Sequence, residues 1–138
     1  MQFAKLACAL ALLSSIAVAQ IQTSTTFDTV YDGAQSSTNI VACSNLTPRF
    51  PTLGSFPTFP NIGGAFAVTG FGSAACGSCW QITDTTTGVT INATAIDVAG
   101  DGFNLSLEAM NTLTDGNAIA IGRAPVTAVE VDPSHCGI

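Results

Sequence analysis

The 138-residue chain carries three Lys and Arg against nine Asp and Glu, with 47% hydrophobic and 9% charged residues. An acidic chain with so few cations cannot neutralise phosphates, so we expect neither nucleic acid nor an anionic membrane as a partner, and neutral ligands are favoured. The apolar fraction is typical of a globular chain, and the length suits one domain.

The first 19 residues predict a secretory signal peptide. Lys5 supplies the basic segment, an apolar run follows over residues 6–18, and the small residues Ala17 and Ala19 mark the cleavage point. The apolar run is too short to span a bilayer, and no second one follows. We therefore expect a signal peptide over 1–19, one domain over 20–138, and a secreted product.

Four cysteines remain after that cleavage, namely Cys43, Cys76, Cys79 and Cys136. An even count in a small secreted chain is typical of two disulfides, and three pairings are open. We favour Cys43–Cys76 with Cys79–Cys136, because two cysteines so close along the chain reach outward more readily than to each other. Each bond would stabilise the fold by roughly 4 kcal/mol.

The Cys76-Gly77-Ser78-Cys79 spacing also suits a redox dithiol or half of a zinc site. Redox motifs of this kind lie at a helix start within a βαβ pattern, whereas a strand is predicted here. The disulfide interpretation is therefore favoured, and no metal site is predicted.

In chain order, the predicted elements begin with a loose polar leader over residues 20–26 and a short strand over 27–31. Between residues 47 and 60, prolines interleave with phenylalanines, which excludes a helix or a central strand. We predict an extended surface loop with its aromatic side chains tucked underneath. From Gly64 to Gly70, apolar residues alternate with small ones, and this pattern predicts a strand.

A hairpin is predicted from Trp80–Asp84, a turn at 86–88 and a second strand over 89–97. In the second strand the odd-numbered positions share the core face. Asp97 continues that parity, so its carboxylate is predicted to point to the buried side or to the rim above it. A carboxylate at a core-facing strand position is the most unusual feature of the sequence pattern.

Helical spacing of apolar residues predicts one helix over 104–113, with Asn104 or Ser106 available as its cap. Two short closing strands are predicted at 118–121 and 126–131. Many short strands with one helix and no βαβ rhythm indicate a mainly β protein, specifically a small closed barrel.

Catalytic chemistry finds little support. Glycosidic hydrolysis normally needs two carboxyl groups, and Asp97 could supply one, but none of the candidates for the second is marked by its neighbours: Asp28, Asp32, Asp101 and Glu108. His135 is the sole histidine, so no Ser-His-Asp or Cys-His set can be built. We predict no catalytic residue and no cofactor.

Two further features have structural and functional interpretations. Trp80 follows Cys79 directly, which favours core packing against the disulfide over a role as a ligand platform. The glycosylation pattern occurs at Asn45, Asn92 and Asn104, and Asn92 is the best candidate because it faces away from the core.

Several segments together resemble the cerato-platanin family of secreted fungal proteins. The resemblance spans residues 27–137. The residues that carry it are Tyr31-Asp32, Cys43-Ser44, Phe59 to Gly64, Cys76 to Gln81, Ala95-Ile96-Asp97, Gly102 to Leu105, Ala109-Met110-Asn111, Gly122-Arg123 and Cys136-Gly137.

The resemblance implies a single six-stranded double-ψ β-barrel with one or two short helices, like the first domain of expansins, and the disulfide pairing favoured above. It also implies a non-catalytic cell-wall protein that binds chitin-derived N-acetylglucosamine oligomers in a surface groove, loosens wall polysaccharide as expansins do, and elicits plant defence. Asp97 matches the acidic groove residue. The other residues carried over as ligand-binding candidates are Tyr31, Asp32, Ser44 and Asn104.

The chain departs from the family where Cys43-Ser44-Asn45-Leu46 stands in place of Cys-Ser-Asp-Gly, which removes an acidic groove residue. Expected partners are chitin oligomers and other wall polysaccharides, and a host receptor is a further candidate. Two other hypotheses stay open: a surface-active, self-assembling coat protein, suggested by the apolar composition, and a weak glycoside hydrolase on the same barrel.

Overall fold

The structure is a computed structural model that describes residues 19–138. The predicted signal peptide therefore lies outside the described residues, apart from Ala19. The strands are β1 Ile21–Phe27, β2 Ile62–Ala65, β3 Cys79–Asp84, β4 Thr90–Val98, β5 Phe103–Leu105 and β6 Ala124–Val131. The helices are α1 Leu107–Leu113 and α2 Ala118–Ile121, and single 3-10 turns punctuate the loops.

The six strands close into a barrel in the order β1-β5-β2-β4-β3-β6. Two pairs, β1 with β5 and β2 with β4, run parallel, and the others run antiparallel. Closure pairs every strand on both sides, so the sheet presents no open edge. The predicted six-stranded β-barrel with two short helices and two disulfides is confirmed.

The β3–β4 hairpin forms as predicted. Trp80 is paired with Ala93 and Ile82 with Ile91, and β6 covers the other side of β3. The turn is closed by Asp84, whose Oδ1 accepts hydrogen bonds from the amides of Thr86 and Thr87. β-branched and aromatic side chains fill this hairpin because they pack well on a pleated, half-buried surface.

The apolar core has two main parts. One fills the barrel and includes Trp80 and Phe103, whose rings meet edge to face at 5.5 Å. The other lies outside the barrel wall, beneath the proline-rich loop, where Phe50 and Phe56 stack at 4.6 Å. The phenylalanines of that loop are tucked underneath, as predicted, and Trp80 packs in the core.

The disulfides join Cys43 to Cys76 and Cys79 to Cys136, which is the predicted pairing. The first bond attaches the loop after β1 to the segment before β3. The second attaches the start of β3 to the 3-10 turn near the C-terminus. Each disulfide therefore fastens a long loop or the chain end to the barrel.

The first strand was predicted in the wrong place. Residues 21–27 form β1 rather than a loose leader, and residues 29–32 form a 3-10 turn rather than a strand. Only Thr25 of this polar segment is fully buried, so the segment has no apolar face that would mark it as a strand. Its backbone pairing with β5 and β6, rather than an apolar face, holds it in the barrel.

Three other predicted boundaries were wrong. The segment after Ala65 leaves the sheet, so residues 66–70 are not a strand. The predicted helix begins at Leu107, because Asn104 belongs to β5 and Ser106 is the cap. Residues 118–121 form helix α2 rather than a strand, ending at Gly122 in the left-handed conformation typical of helix ends.

Among residues 19–138, no helix has the length and apolar character needed to cross a membrane.

Candidate functional site

A β-bulge places the carboxylate of Asp97. Gly63 is paired with Ala95 and Gly64 with Asp97, so Ile96 is an extra residue in β4. Ala95 belongs to the barrel interior, whereas Ile96 packs in the core outside the barrel wall. The bulge interrupts the alternation from which the direction of Asp97 was predicted, and its carboxylate bonds to Tyr31, which packs in the same outer core as Ile96.

The Asp97 carboxylate is held by three donors. Oδ1 accepts from the amides of Ala42 at 3.0 Å and Val98 at 2.9 Å. Oδ2 accepts from the hydroxyl of Tyr31 at 2.9 Å. The carboxylate thus joins the end of β4 to the turn after β1 and to the loop beside Cys43. Donors of this kind fix the orientation of an acidic group.

Tyr31 is buried, with only 3% of its surface exposed. Burial raises the pKa of its phenol, and the hydrogen bond and negative charge of Asp97 raise that pKa further. The side-chain amide of Asn104 opposes the shift. Tyr31 is therefore a neutral donor that positions Asp97, and its ring is too enclosed to stack on a ligand.

Asn104 connects this network to a surface groove. β5 presents the side chain next to β1, where the Thr26 hydroxyl donates to Oδ1 of Asn104 at 2.9 Å. Asn104 also lines an open groove of about 380 Å³. The groove is walled by the β4–β5 loop and its surroundings, with these lining residues: Thr26, Val98, Ala99, Gly100, Asp101, Phe103, Asn104 and Arg123.

The other predicted binding residues lie around this centre in different roles. Both carboxylate oxygens of Asp32 accept hydrogen bonds from the first amides of α1, those of Leu107 and Glu108, at 2.9 and 3.0 Å. Ser44 begins a 3-10 turn one residue after Cys43, close along the chain to the Ala42 amide that holds Asp97. The structure thus bonds Tyr31 to Asp97, places Asn104 beside Tyr31, and gives Asp32 a helix-capping position.

Sequence reasoning missed two groove residues. Thr26 fell in the segment expected to be loose, although a run of threonines is a signal for a strand. Arg123 lies next to the groove and donates from Nη1 to the hydroxyl of Ser24 at 2.6 Å. The glycosylation candidate Asn92 lies away from this groove, where its Nδ2 donates to the carbonyl of His135 at 3.3 Å.

The groove offers hydrogen-bonding groups of both kinds. Asn104 has donor and acceptor atoms, Thr26 has a hydroxyl, Asp101 is an acceptor and Arg123 is a donor. Within residues 19–138, no three His, Cys, Asp or Glu side chains are grouped so that they could hold a metal ion. The arrangement suits a polar, uncharged ligand that both donates and accepts hydrogen bonds.

A family model described as cerato-platanin matches residues 23–138. The chain belongs to the cerato-platanin family. Among curated proteins, the Allergen Asp f 15 of Aspergillus fumigatus is 44% identical over 120 residues, which cover 84% of this chain and 78% of the relative.

Solved cerato-platanin structures share the fold. The crystal structure of cerato-platanin 2 from M. perniciosa is 49% identical, with a TM-score of 0.81, and the match covers 85% of this chain and 99% of that one. The solution structure of the fungal elicitor Cerato-Platanin is 38% identical with a TM-score of 0.74, over 82% and 95% of the two chains.

The barrel is also found in a more distant protein. An expansin from Clavibacter michiganensis is 20% identical with a TM-score of 0.54, and the match covers 83% of this chain and 51% of the expansin. At this identity the likeness shows the fold alone. The cerato-platanin barrel of this chain is therefore expansin-like in architecture.

Proposed function

We propose that this cerato-platanin is a secreted, non-catalytic protein that binds N-acetylglucosamine oligomers of chitin, and related wall polysaccharide, in the groove beside Asn104. The observation that carries the proposal is that Asn104 lines that groove and lies beside Tyr31, which is hydrogen-bonded to Asp97. Neutral sugars are recognised by convergent donors and acceptors rather than by formal charge.

In this proposal, the Asp97 carboxylate positions neighbouring groups rather than contacting the sugar itself. It fixes Tyr31 and the Ala42 backbone, and Tyr31 in turn adjoins the Asn104 amide. Asn104 is then the residue that contacts the sugar directly, because it belongs both to this network and to the groove wall. A rigid polar wall reduces the side-chain entropy lost on binding.

The predicted N-terminal signal peptide and the named relatives support a location outside the cell. Expansin-like loosening of wall polysaccharide is supported by the shared barrel, and an elicitor role is supported by likeness to the fungal elicitor Cerato-Platanin. We propose both as consequences of polysaccharide binding, with a host receptor as the partner in elicitation.

The test is a titration of the oxidised protein, residues 20–138, with N-acetylglucosamine oligomers. Binding is detected from changes in the backbone amide chemical shifts in NMR spectra. The same tubes are then assayed for shortened sugar. Shifts centred on Asn104, Asp97 and Thr26 with intact sugar are expected. Shortened sugar would instead establish a glycoside hydrolase, and an absence of shifts would remove the groove as a chitin site.

A second candidate function has an observation in its favour. Large apolar side chains are exposed at several points, including Phe71 at 75%, Ile119 at 71% and Ile40 at 54%. Such residues are suited to an apolar interface. A surface-active coat protein would lower the surface tension of water and form assemblies at high concentration, and a protein that stays monomeric without lowering it would exclude that function.

A further inference from the structure

A second pocket lies away from the proposed sugar groove, between the β3–β4 turn and helix α2. It has a volume of about 270 Å³. Ile121 and Pro125 supply apolar wall, and Thr87 and Thr114 also line the pocket. A cavity of this size has room for a ligand at least as large as benzene.

Asp84 stands in the wall of this pocket with only 1% of its surface exposed. Its Oδ1 is already used, because it accepts from the amides of Thr86 at 2.7 Å and Thr87 at 3.1 Å. Within residues 19–138, its Oδ2 accepts no hydrogen bond. Closing the hairpin turn therefore requires one carboxylate oxygen and leaves the other available.

We infer that the available oxygen borders the pocket, because Asp84 belongs to the pocket wall. Among the described residues, every side-chain nitrogen or oxygen that is sealed from solvent has a hydrogen-bond partner. Oδ2 of Asp84 has none, so it retains contact with open space, and the open space beside Asp84 is this pocket. Asp84 is only 1% exposed, so this oxygen is poorly hydrated and a ligand donor would supply the hydrogen bond that it lacks.

Most of the neighbouring polar side chains already have hydrogen-bond partners. The Thr87 hydroxyl donates to the carbonyl of Leu113, and the Thr114 hydroxyl donates to the carbonyl of Met110. Asn117 donates from Nδ2 to the carbonyl of Thr114. Exposed Arg123 directs Nη1 to Ser24. Thr86 and Asn117 are exposed to solvent, so Oδ2 of Asp84 is the acceptor in this pocket that belongs to a buried residue and has no donor.

We propose that this pocket binds a compact apolar molecule carrying one hydrogen-bond-donating head group, an ammonium or a hydroxyl, with the head on Oδ2 of Asp84 and the apolar body against Ile121 and Pro125. A carboxylate only accepts hydrogen bonds, so the head must donate. The proposal does not depend on sugar binding, because the two sites share no residue except Arg123 at their borders.

The test uses three probes of similar size in NMR titrations of the oxidised protein: benzylamine, benzyl alcohol and methyl benzyl ether, which has no donor. We expect benzylamine or benzyl alcohol to shift the amides of Thr86, Thr87 and Ile121, and to bind about tenfold more tightly than the ether. Comparison of the amine with the alcohol decides between the two head groups.

The variant Asp84→Asn makes the test specific. The asparagine oxygen can still accept from the Thr86 and Thr87 amides, while its nitrogen now donates into the pocket. We expect the variant to lose affinity for benzylamine by about tenfold and to gain affinity for the ether. Equal binding of the ether and the donors to the unaltered protein, or an unchanged preference in the variant, would overturn the proposal.

A second pair of variants does not alter the turn. Ile121 lines the pocket, whereas Ile119 on the same helix does not and is 71% exposed. Ile121→Ala should weaken binding of the donor probes by about tenfold, and Ile119→Ala should leave it unchanged. If no probe shifts the pocket amides in any of these proteins, Asp84 only closes the hairpin turn over solvent and the proposal is wrong.

Discussion

The hydroxyl of Tyr31 donates to Oδ2 of Asp97 at 2.9 Å, across 66 positions of sequence. The bond joins the turn after β1 to the end of β4, and it lies beside the Asn104 side chain. Replacing Tyr31 by Phe keeps the buried ring and removes only this donor. We expect Tyr31→Phe to lower the free energy of unfolding by about 1 to 3 kcal/mol, because a half-buried carboxylate loses a partner.

Urea unfolding of the two proteins measures this loss. Thr83→Val is a matched control, because its hydroxyl bonds to Thr90 on an exposed part of the hairpin. An effect of Tyr31→Phe no larger than that of Thr83→Val would show that the bond to Asp97 does not contribute to stability.

Tyr31 is also the sole tyrosine of the sequence, so tyrosinate absorbance reports on it alone. Its pKa is raised above the ordinary value of 10.0 by burial and by Asp97. The folded protein should therefore show no tyrosinate absorbance at a pH just above 10, where the urea-unfolded chain shows it. Absorbance that rises equally in both states would contradict the buried, hydrogen-bonded position.

The free energy of unfolding should depend on pH because of the same shift in the pKa of Tyr31. The unfolded chain releases the phenolic proton from about pH 10 upward while the folded chain retains it, so the free energy of unfolding falls as the pH rises through this range. Below that range the contribution is fully present. The Tyr31→Phe protein should lack this component of the alkaline loss, and identical alkaline profiles would exclude it.

Asp32 is predicted to stabilise helix α1 rather than to bind sugar. Its carboxylate accepts from the amides of Leu107 and Glu108. Asp32→Ala should lower the free energy of unfolding by about 1 to 2 kcal/mol, as loss of a helix cap does. Oligosaccharide affinity of the folded variant should stay unchanged, and a selective loss of affinity at full stability would return Asp32 to the binding site.

The two disulfides should differ in their effect on the site. Replacing Cys43 and Cys76 by Ala, or Cys79 and Cys136 by Ala, should each lower the free energy of unfolding by about 4 kcal/mol. The sequence separations of 33 and 57 differ, but the loop entropy depends only on the logarithm of loop length. Only the first pair adjoins Ala42, which holds Asp97. Sugar affinity of the protein that remains folded should fall in the first variant and persist in the second, and equal affinities would contradict that connection.

Gly63 lies where β2 passes close to the backbone of β5. A Cβ at this position would lie 2.2 Å from the carbonyl oxygen of Asn104, whereas one at Gly100 would meet no atom within 4 Å. Gly63→Ala should therefore cost about 3 kcal/mol, and Gly100→Ala should cost little. Thermal unfolding of both proteins tests this, and equal stability would mean that the barrel wall relaxes without cost.

The sequence predicted the hairpin and the barrel because their signals are local. Alternating apolar residues around a Thr-Thr-Gly turn define β3 and β4, and the prolines exclude regular structure from the loop over residues 47–60. Strand β1 was missed because its apolar face is almost absent. Helix α2 was missed because four apolar residues carry no period, although Gly122 at its end was a usable signal.

The sequence predicted Asp97, Tyr31 and Asn104 as members of the candidate site, but not their arrangement. Asp97 stood out because a carboxylate ended an apolar strand, yet the bulge at Ile96 depends on pairing with β2, a strand of Ile-Gly-Gly-Ala that carries little pattern. The partnership of Asn104 with Thr26 likewise depends on the parallel pairing of β5 with β1. Such long-range pairings are not encoded in any local periodicity.

The measurement that tests the central claim most directly compares two asparagine variants in a titration with N-acetylglucosamine oligomers. Asn104 lines the groove, whereas Asn92 is a similarly half-buried asparagine away from it. Asn104→Ala should weaken binding by about tenfold and Asn92→Ala should leave it unchanged. Equal affinity in both variants would contradict the assignment of this groove as the carbohydrate site.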